Sequence, residues 1–316
     1  MKKIGRVISE GALIEKAFDH LLAKTRYRNK SLNRIRFVIE DKRKLYLFKK
    51  LKKKFFDPYI CEFEESIKRE EAKKEKGNTI WFCWLQGLES APDIVKCSYN
   101  SIQKNLCSNG EYMIQVVTEE NFKEFVTLPD NIMGKYRKGI IGRAHFADIL
   151  RLKLLIEYGG VWIDSTVVFN GTEIFDIVKD SELVMPNRFS WHAGRIMLVD
   201  NWFILSKSNN KILRLVYDLL LRYWEKYDYA IDYFFAHIFF AIAFDHYPDV
   251  LKKMPYLCAH SCEYLGTILF EEYDETIFNA VAAQTDLFKL HFKFSKSLAD
   301  KENTYYRKIL EKYLKI

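Results

Sequence analysis

The chain has 316 residues, 49% hydrophobic and 16% aromatic, and a formal net charge of +8. That length and apolar content suit one large domain with an appendage, or two domains, and exclude global disorder. Its six cysteines are too sparse for a disulfide scaffold and read as reduced thiols of a cytoplasmic protein.

The positive charge is concentrated at one end. Residues 1–54 hold 18 Lys/Arg against 5 Asp/Glu, and the remainder of the chain is slightly acidic. The opening MKKIGRVISEGALIEK has basic residues without the apolar stretch of a secretory signal. GALIEKAFDHLLAK then has helical spacing, and KRKLYLFKKLKKKFF (42–56) interleaves Leu45, Phe48, Leu51 and Phe55 with lysines. A basic amphipathic helix suits an anionic membrane surface, or else docks on its own domain. The expectation is the former: a helical basic N-terminal extension, residues 1–75, holding a cytoplasmic protein peripherally on the inner face of the membrane. No helix-turn-helix or stacking-aromatic signature points to nucleic acid.

KEKGN reads as a helix stop and linker, placing a boundary near residue 76. The second unit, 76–316, begins with the apolar strand TIWFCWL (79–85), a helix from about 92 to 106 and the strand YMIQVVT (112–118). That alternation predicts an α/β sheet. GRAHFADILRLKLLIEYGG (142–160) is a helix closed by glycine, followed by a strand VWIDSTVVF. Short strands and turns are expected over 172–205, and a helical insertion rich in aromatics over 208–247. Within the latter, YFFAHIFFAIAF (233–244) is too short to span a bilayer and reads as a core helix. QTDLFKLHFKFSKSL (284–298) gives a last strand and loop before a basic helical tail.

The strand after the double glycine is apolar except for Asp164. Burying an unpaired carboxylate is costly, so Asp164 needs a partner: a divalent cation or ribose hydroxyls at the carboxyl end of a sheet strand. On the preceding helix, Asp148 and Arg151 share one face. The acid suits sugar hydroxyls and the guanidinium suits phosphate, although the two also make an intrahelical ion pair. Cys258, His260 and Cys262 lack the second ligand cluster a zinc knuckle needs. Asp232 is a candidate carboxylate nucleophile or else a helix cap. Trp191, Trp202, Trp224 and Tyr233 belong either to the core or to an acceptor cleft.

ADILRLKLLIEYGGVWIDSTVVF resembles the core signature of glycosyltransferase family 32 and its bacterial capsular-polysaccharide branch. NTIWFCWLQGLESAP, VDNWFILSKSN and, loosely, LHFKFSKS extend the resemblance over roughly residues 78–298 and leave 1–75 uncovered. It implies a GT-A fold, a Rossmann-like nucleotide-sugar sheet flanked by helices. It also implies a retaining transfer of a hexose, galactose or glucose, from a UDP-sugar to a lipid-linked saccharide in surface-polysaccharide synthesis. By the same resemblance Trp84 and Gln86 face the base, and Asp148 and Arg151 face the donor sugar and diphosphate. Asn201 sits near donor or acceptor, and Lys293 or Lys296 neutralises the diphosphate. Asp164 contacts ribose and Mn2+ or Mg2+, with His291 as a further metal ligand. Here the family's Asp-x-Asp reads Asp164-Ser165-Thr166, so a threonine stands where the principal metal ligand is usual. Of the carboxylates only Asp232 suggests a nucleophile, and same-face attack is favoured over it. A non-catalytic scaffold with a decayed fold, and a metal-dependent phosphohydrolase, are the alternatives.

Overall fold

The structure, a computed structural model, describes residues 30–69, 75–188 and 196–314. The GALIEKAFDHLLAK segment and Trp191 lie outside the described residues.

In chain order the strands are β1 (Thr79–Cys83), β2 (Met113–Val117), β3 (Gly160–Asp164), β4 (Val167–Phe169), β5 (Leu183–Val184), β6 (Phe203–Ser206) and β7 (Leu287–Lys289). The main sheet has the order β2-β1-β3-β6-β5, and β4 pairs with β7 in a small second sheet. β1 is parallel to both β2 and β3, whereas β6 runs antiparallel to β3 and to β5. The expected α/β class is what the chain adopts.

Among the helices of the described residues are α1 (Lys30–Leu51), α2 (Ile60–Arg69), α3 (Asp93–Leu106), α4 (Arg143–Tyr158), α5 (Lys211–Lys226), α6 (Phe235–His246), α7 (Ala259–Thr267) and α8 (Tyr305–Tyr313).

Strands β1 and β3 read as continuous apolar runs because both faces of the sheet are covered. Side chains alternate along a strand. Trp81, Trp162 and Ile204 enter one core, with α4, α5 and α6. Ile80, Phe82, Val161, Ile163 and Phe203 enter the other, with α3, α7 and α8. All of Phe235–Phe244 is buried, so the long apolar run of α6 is a core helix as expected. No helix among the described residues is long and apolar enough to cross a membrane.

The double glycine between α4 and β3 is required by geometry. Gly159 and Gly160 have φ of 66° and 93°, values that side-chain-bearing residues rarely adopt. A Cβ on Gly160 would lie 2.3 Å from the Thr79 carbonyl oxygen. The turn thus lets β3 leave the helix and pair with β1 at once.

The structure differs from the sequence expectations in three places. VWIDSTVVF is not one strand: it breaks at Ser165–Thr166, and its second half joins β7 in the other sheet. Residues Glu173–Val178 are helical rather than strand or turn. The basic N-terminal segment is built into the core: Leu47, Leu51, Phe55, Phe56, Tyr59 and Phe63 are buried with α4, α5 and α6. Of its apolar side chains, Leu45 is exposed and Phe48 half-buried, so the amphipathic face is spent largely inside the protein.

Candidate active site

The carboxyl ends of β1 and β3 open onto a cavity of about 710 Å3. In α/β sheets this is where ligands bind, and the volume suits a small-molecule ligand. The register sets Cys83 beside Asp164. Past the end of β1, Trp84 and Gln86 line the wall, and α4 contributes Arg143, Asp148 and Arg151. Asn201 and Trp202 come from the segment entering β6, and Tyr233 and Phe234 from the segment before α6.

Asp164 is the electrostatic centre. Its Oδ1 accepts from Trp162 Nε1 at 3.0 Å and from an Arg151 NH group at 3.3 Å. Its Oδ2 accepts from Lys289 Nζ at 2.9 Å. Burial alone pushes this carboxyl up, but Lys289, then Arg151, more than offset it, and with the Trp162 bond they hold it below the usual range.

Arg151 lies 3.4 Å from Asp148, so the intrahelical ion pair exists, yet it faces the cavity rather than solvent. The guanidinium is buried, stacks over Trp162, and also donates to the Asn201 carbonyl. Asn201 in turn donates Nδ2 to Asp148 Oδ1 at 3.0 Å. Arg151 therefore positions two carboxylates and the Asn201 backbone.

The opposite wall was not anticipated. Arg188 donates Nε to both oxygens of Asp200 and a terminal nitrogen to Glu263. His237 Nε2 lies 3.8 Å from Asp200. Burial lowers the His237 pKa, which keeps it neutral at neutral pH, and burial raises that of Glu263 despite Arg188. Trp84 Nε1, Trp202 Nε1, Arg151 Nε and His237 Nδ1 are buried polar atoms of lining residues without a partner among the described residues. Leaving such groups unsatisfied is costly.

The expected site residues divide accordingly. Trp84, Gln86, Asp148, Arg151, Asp164, Asn201 and Lys293 converge on the cavity, as do Trp202 and Tyr233. Trp224 is fully buried in the core. Lys296, Thr166, His291 and Asp232 do not line the cavity. The Asp232 carboxylate is held by Arg43 and Lys44, and its Oδ1 accepts from the Phe234 N–H, so it ties α1 to the start of α6. His291 packs between Phe270 and Phe294. Thr166 is buried and accepts from Lys289 Nζ at 2.9 Å. Asp164 and Thr166 thus share the Lys289 ammonium, while His291 lies outside the cavity lining. Among the described residues no cluster of three or more His, Cys, Asp or Glu side chains is placed to hold a metal.

Sequence reasoning missed Arg188, Asp200, His237, Glu263 and Lys289. Lys289 did leave a signal: it interrupts the short apolar run LFKL, as Asp164 interrupts the run VWID.

Comparison with known proteins gives three findings. The family model described as capsular polysaccharide synthesis protein matches residues 28–309. The O-glycosyltransferase PaGT of Phomopsis amygdali is 23% identical over 176 residues, 52% of this chain and 43% of that protein. The chain thus spans less than half the length of this curated relative. A solved structure, the PaToxG glycosyltransferase, overlaps 85% of this chain and 96% of its own at 16% identity, with a TM-score of 0.39, too low to carry an argument.

Proposed function

The chain belongs to the capsular polysaccharide synthesis protein family, and from that premise we propose that it is a glycosyltransferase of GT-A type, related to family 32. It moves a hexose, glucose or galactose, from a UDP-sugar to a lipid-linked saccharide with retention of configuration. One observation carries the reading: Trp84 and Gln86, the Asp148–Asn201 pair, and Asp164 with Lys289 meet in one cavity at the carboxyl ends of β1 and β3.

The roles follow from chemistry. Trp84, already packed edge-on against Phe292 at 5.2 Å, offers a ring to the uracil. Asp148, oriented by Asn201 and Arg151, accepts hydrogen bonds from donor-sugar hydroxyls. Asp164 accepts from the ribose. The basic side chains of Lys293 and Arg143 suit the diphosphate. The wall of Arg188, Asp200, His237 and Glu263 takes the acceptor. Transfer passes through an oxocarbenium-like state, and fixed cations stabilise the charge that develops on the leaving diphosphate. The acceptor oxygen attacks from the leaving-group face.

The membrane contact belongs to the outward side of α1 and the turn after it. Val38, Lys42, Leu45, Lys49 and Lys53 are exposed at helical spacing and present a basic stripe with two apolar points to an anionic surface.

The test is a screen of UDP-hexoses with anomeric analysis of the product, run beside melting curves with UDP and with inorganic phosphate. Turnover of one UDP-hexose with retention, and stabilisation by UDP alone, are expected. No response to any nucleotide points to a scaffold, and release of phosphate without transfer points to a phosphohydrolase.

A further inference from the structure

We propose that Lys289 is the resident cation of the donor site, doing at the Asp164-Ser165-Thr166 motif what a divalent metal would do beside two carboxylates. The proposal rests on the transferase reading above.

The backbone dictates the placement. Because the chain breaks after Asp164 and re-enters as β4, Val167 pairs with Lys289 on β7. From there Nζ bridges Asp164 Oδ2 and Thr166 Oγ1, each at 2.9 Å, and the side chain borders the cavity. An ammonium has three N–H donors and no acceptor. Two are spent on the motif, and one is left for a ligand oxygen. Threonine suits this arrangement because its hydroxyl accepts from the ammonium without adding charge.

A divalent ion does not fit the same atoms. Asp164 Oδ1 already accepts from Trp162 and Arg151, and Oδ2 accepts from Lys289. A metal on Oδ2 would displace the ammonium or sit against it, and like charges at contact distance repel. The charges at the motif already balance: Asp164 and Asp148 against Arg151 and Lys289. His291 is turned to Phe270 and Phe294, and Thr166 has no carboxylate to give.

In the transfer itself, the bond from the sugar C1 to the phosphate oxygen breaks, and its electron pair stays on that oxygen. The acceptor oxygen forms the new bond to C1, and its proton passes to the departing phosphate oxygen. Lys289 takes no part in this proton transfer and donates a hydrogen bond to the diphosphate, so no proton is unaccounted for.

The experiment is UDP binding by calorimetry on the full chain, after EDTA treatment and again with Mn2+ added. Wild-type affinity is expected to change by less than about threefold between the two conditions, whereas Lys289→Gln weakens UDP binding at least about tenfold in both, equivalent to about 1.4 kcal/mol. Melting curves check that the variant is folded; if it is not, the wild-type comparison decides alone. Binding that vanishes in EDTA and returns with Mn2+ overturns the proposal but leaves the transferase reading standing. A folded Lys289→Gln variant that binds UDP like wild type also overturns it. Failure of the wild type to bind UDP in any condition overturns the transferase reading instead.

Discussion

Lys289 Nζ lies 2.9 Å from Asp164 Oδ2 although 125 positions separate them in the chain. The contact ties the main sheet to the small one, so Asp164 is both a group of the cavity and a fastening between sheets. Asp164→Asn keeps the shape and removes the anion that Lys289 and Arg151 share. Transfer from the UDP-sugar is expected to fall at least about 100-fold, about 2.7 kcal/mol. The melting temperature should also drop, since the carboxylate accepts on both oxygens and the amide turns an N–H toward Lys289 or toward Trp162 and Arg151. Activity falling merely in step with the folded fraction would make Asp164 a fastening alone.

Arg151 behaves differently from its helix neighbour Asp148. The guanidinium is buried between two carboxylates, and Arg151→Ala leaves both without it. Breaking a buried pair in this way costs about 3–5 kcal/mol. Arg151→Ala is therefore expected to lower the denaturation midpoint sharply along with turnover. Asp148→Asn keeps the bond to Asn201 and should cut kcat at least about tenfold with little loss of stability. Chemical denaturation and steady-state kinetics on both variants separate the two roles. Equal stability losses would show that Asp148 is as structural as Arg151.

Asp232 gives the complementary case. Burial pushes its carboxyl up, but Lys44 and then Arg43 more than compensate, so its folded pKa lies below the ordinary value. Its unfolded pKa is about 3.9. A depressed carboxyl contributes its full stabilisation above the unfolded value and loses it as pH falls through the folded one. Wild type should accordingly lose stability on acidification below about pH 4, and Asp232→Asn should flatten that part of the profile while lowering the melting temperature at neutral pH. The folded fraction of the variant should keep near-wild-type specific activity. A folded, inactive Asp232→Asn enzyme would return this residue to the reaction.

The basic stripe on α1 is tested by charge alone. Replacing Lys42, Lys49 and Lys53 with Gln removes three exposed cations and leaves the buried face of Leu47, Leu51, Phe55 and Phe56 untouched. Each lysine near an anionic surface is worth about 1 kcal/mol, and salt screens it. Binding to vesicles containing phosphatidylserine should weaken at least about tenfold and lose most of its salt dependence. Unchanged vesicle binding by the triple variant would remove this face as the membrane contact.

Much of this architecture was legible because local rules act strongly on it. The double glycine, the alternation of TIWFC between two cores, and the all-apolar α6 each have one physical solution. Asp164 stood out because a carboxylate in an apolar strand demands a partner. What stayed hidden depends on long-range pairing. Nothing local to Ser165 says that the strand breaks there, and only that break brings Lys289 to Asp164 and Thr166. Arg188, Asp200, His237 and Glu263 come from four separate segments, so no spacing in the sequence joins them. The packing of the N-terminal lysine-rich helix was hidden for a related reason: an amphipathic pattern fits a membrane and a protein core equally, and here α5 and α6 cover its Leu47, Leu51, Phe55 and Phe56.

Glu263 offers a test of the proposed same-face attack. It is a carboxylate in the cavity, on α7, with its pKa raised by burial and its Oε1 held by Arg188. A double displacement would need such a group as nucleophile, and converting it to an amide would cost about 1,000-fold or more. Same-face attack needs only a polar wall for the acceptor, and an amide serves that purpose. Glu263→Gln is therefore expected to raise the acceptor KM and to cost no more than about tenfold in kcat, with the product anomer unchanged. Because the raised pKa makes ionised Glu263 a cost to folding, the variant should also melt slightly higher than wild type above the carboxylate range. The measurements are acceptor kinetics, anomeric analysis and melting curves between pH 5 and 8. A loss of kcat near 1,000-fold in a stable variant would assign Glu263 the nucleophile's role and replace same-face attack with two successive inversions.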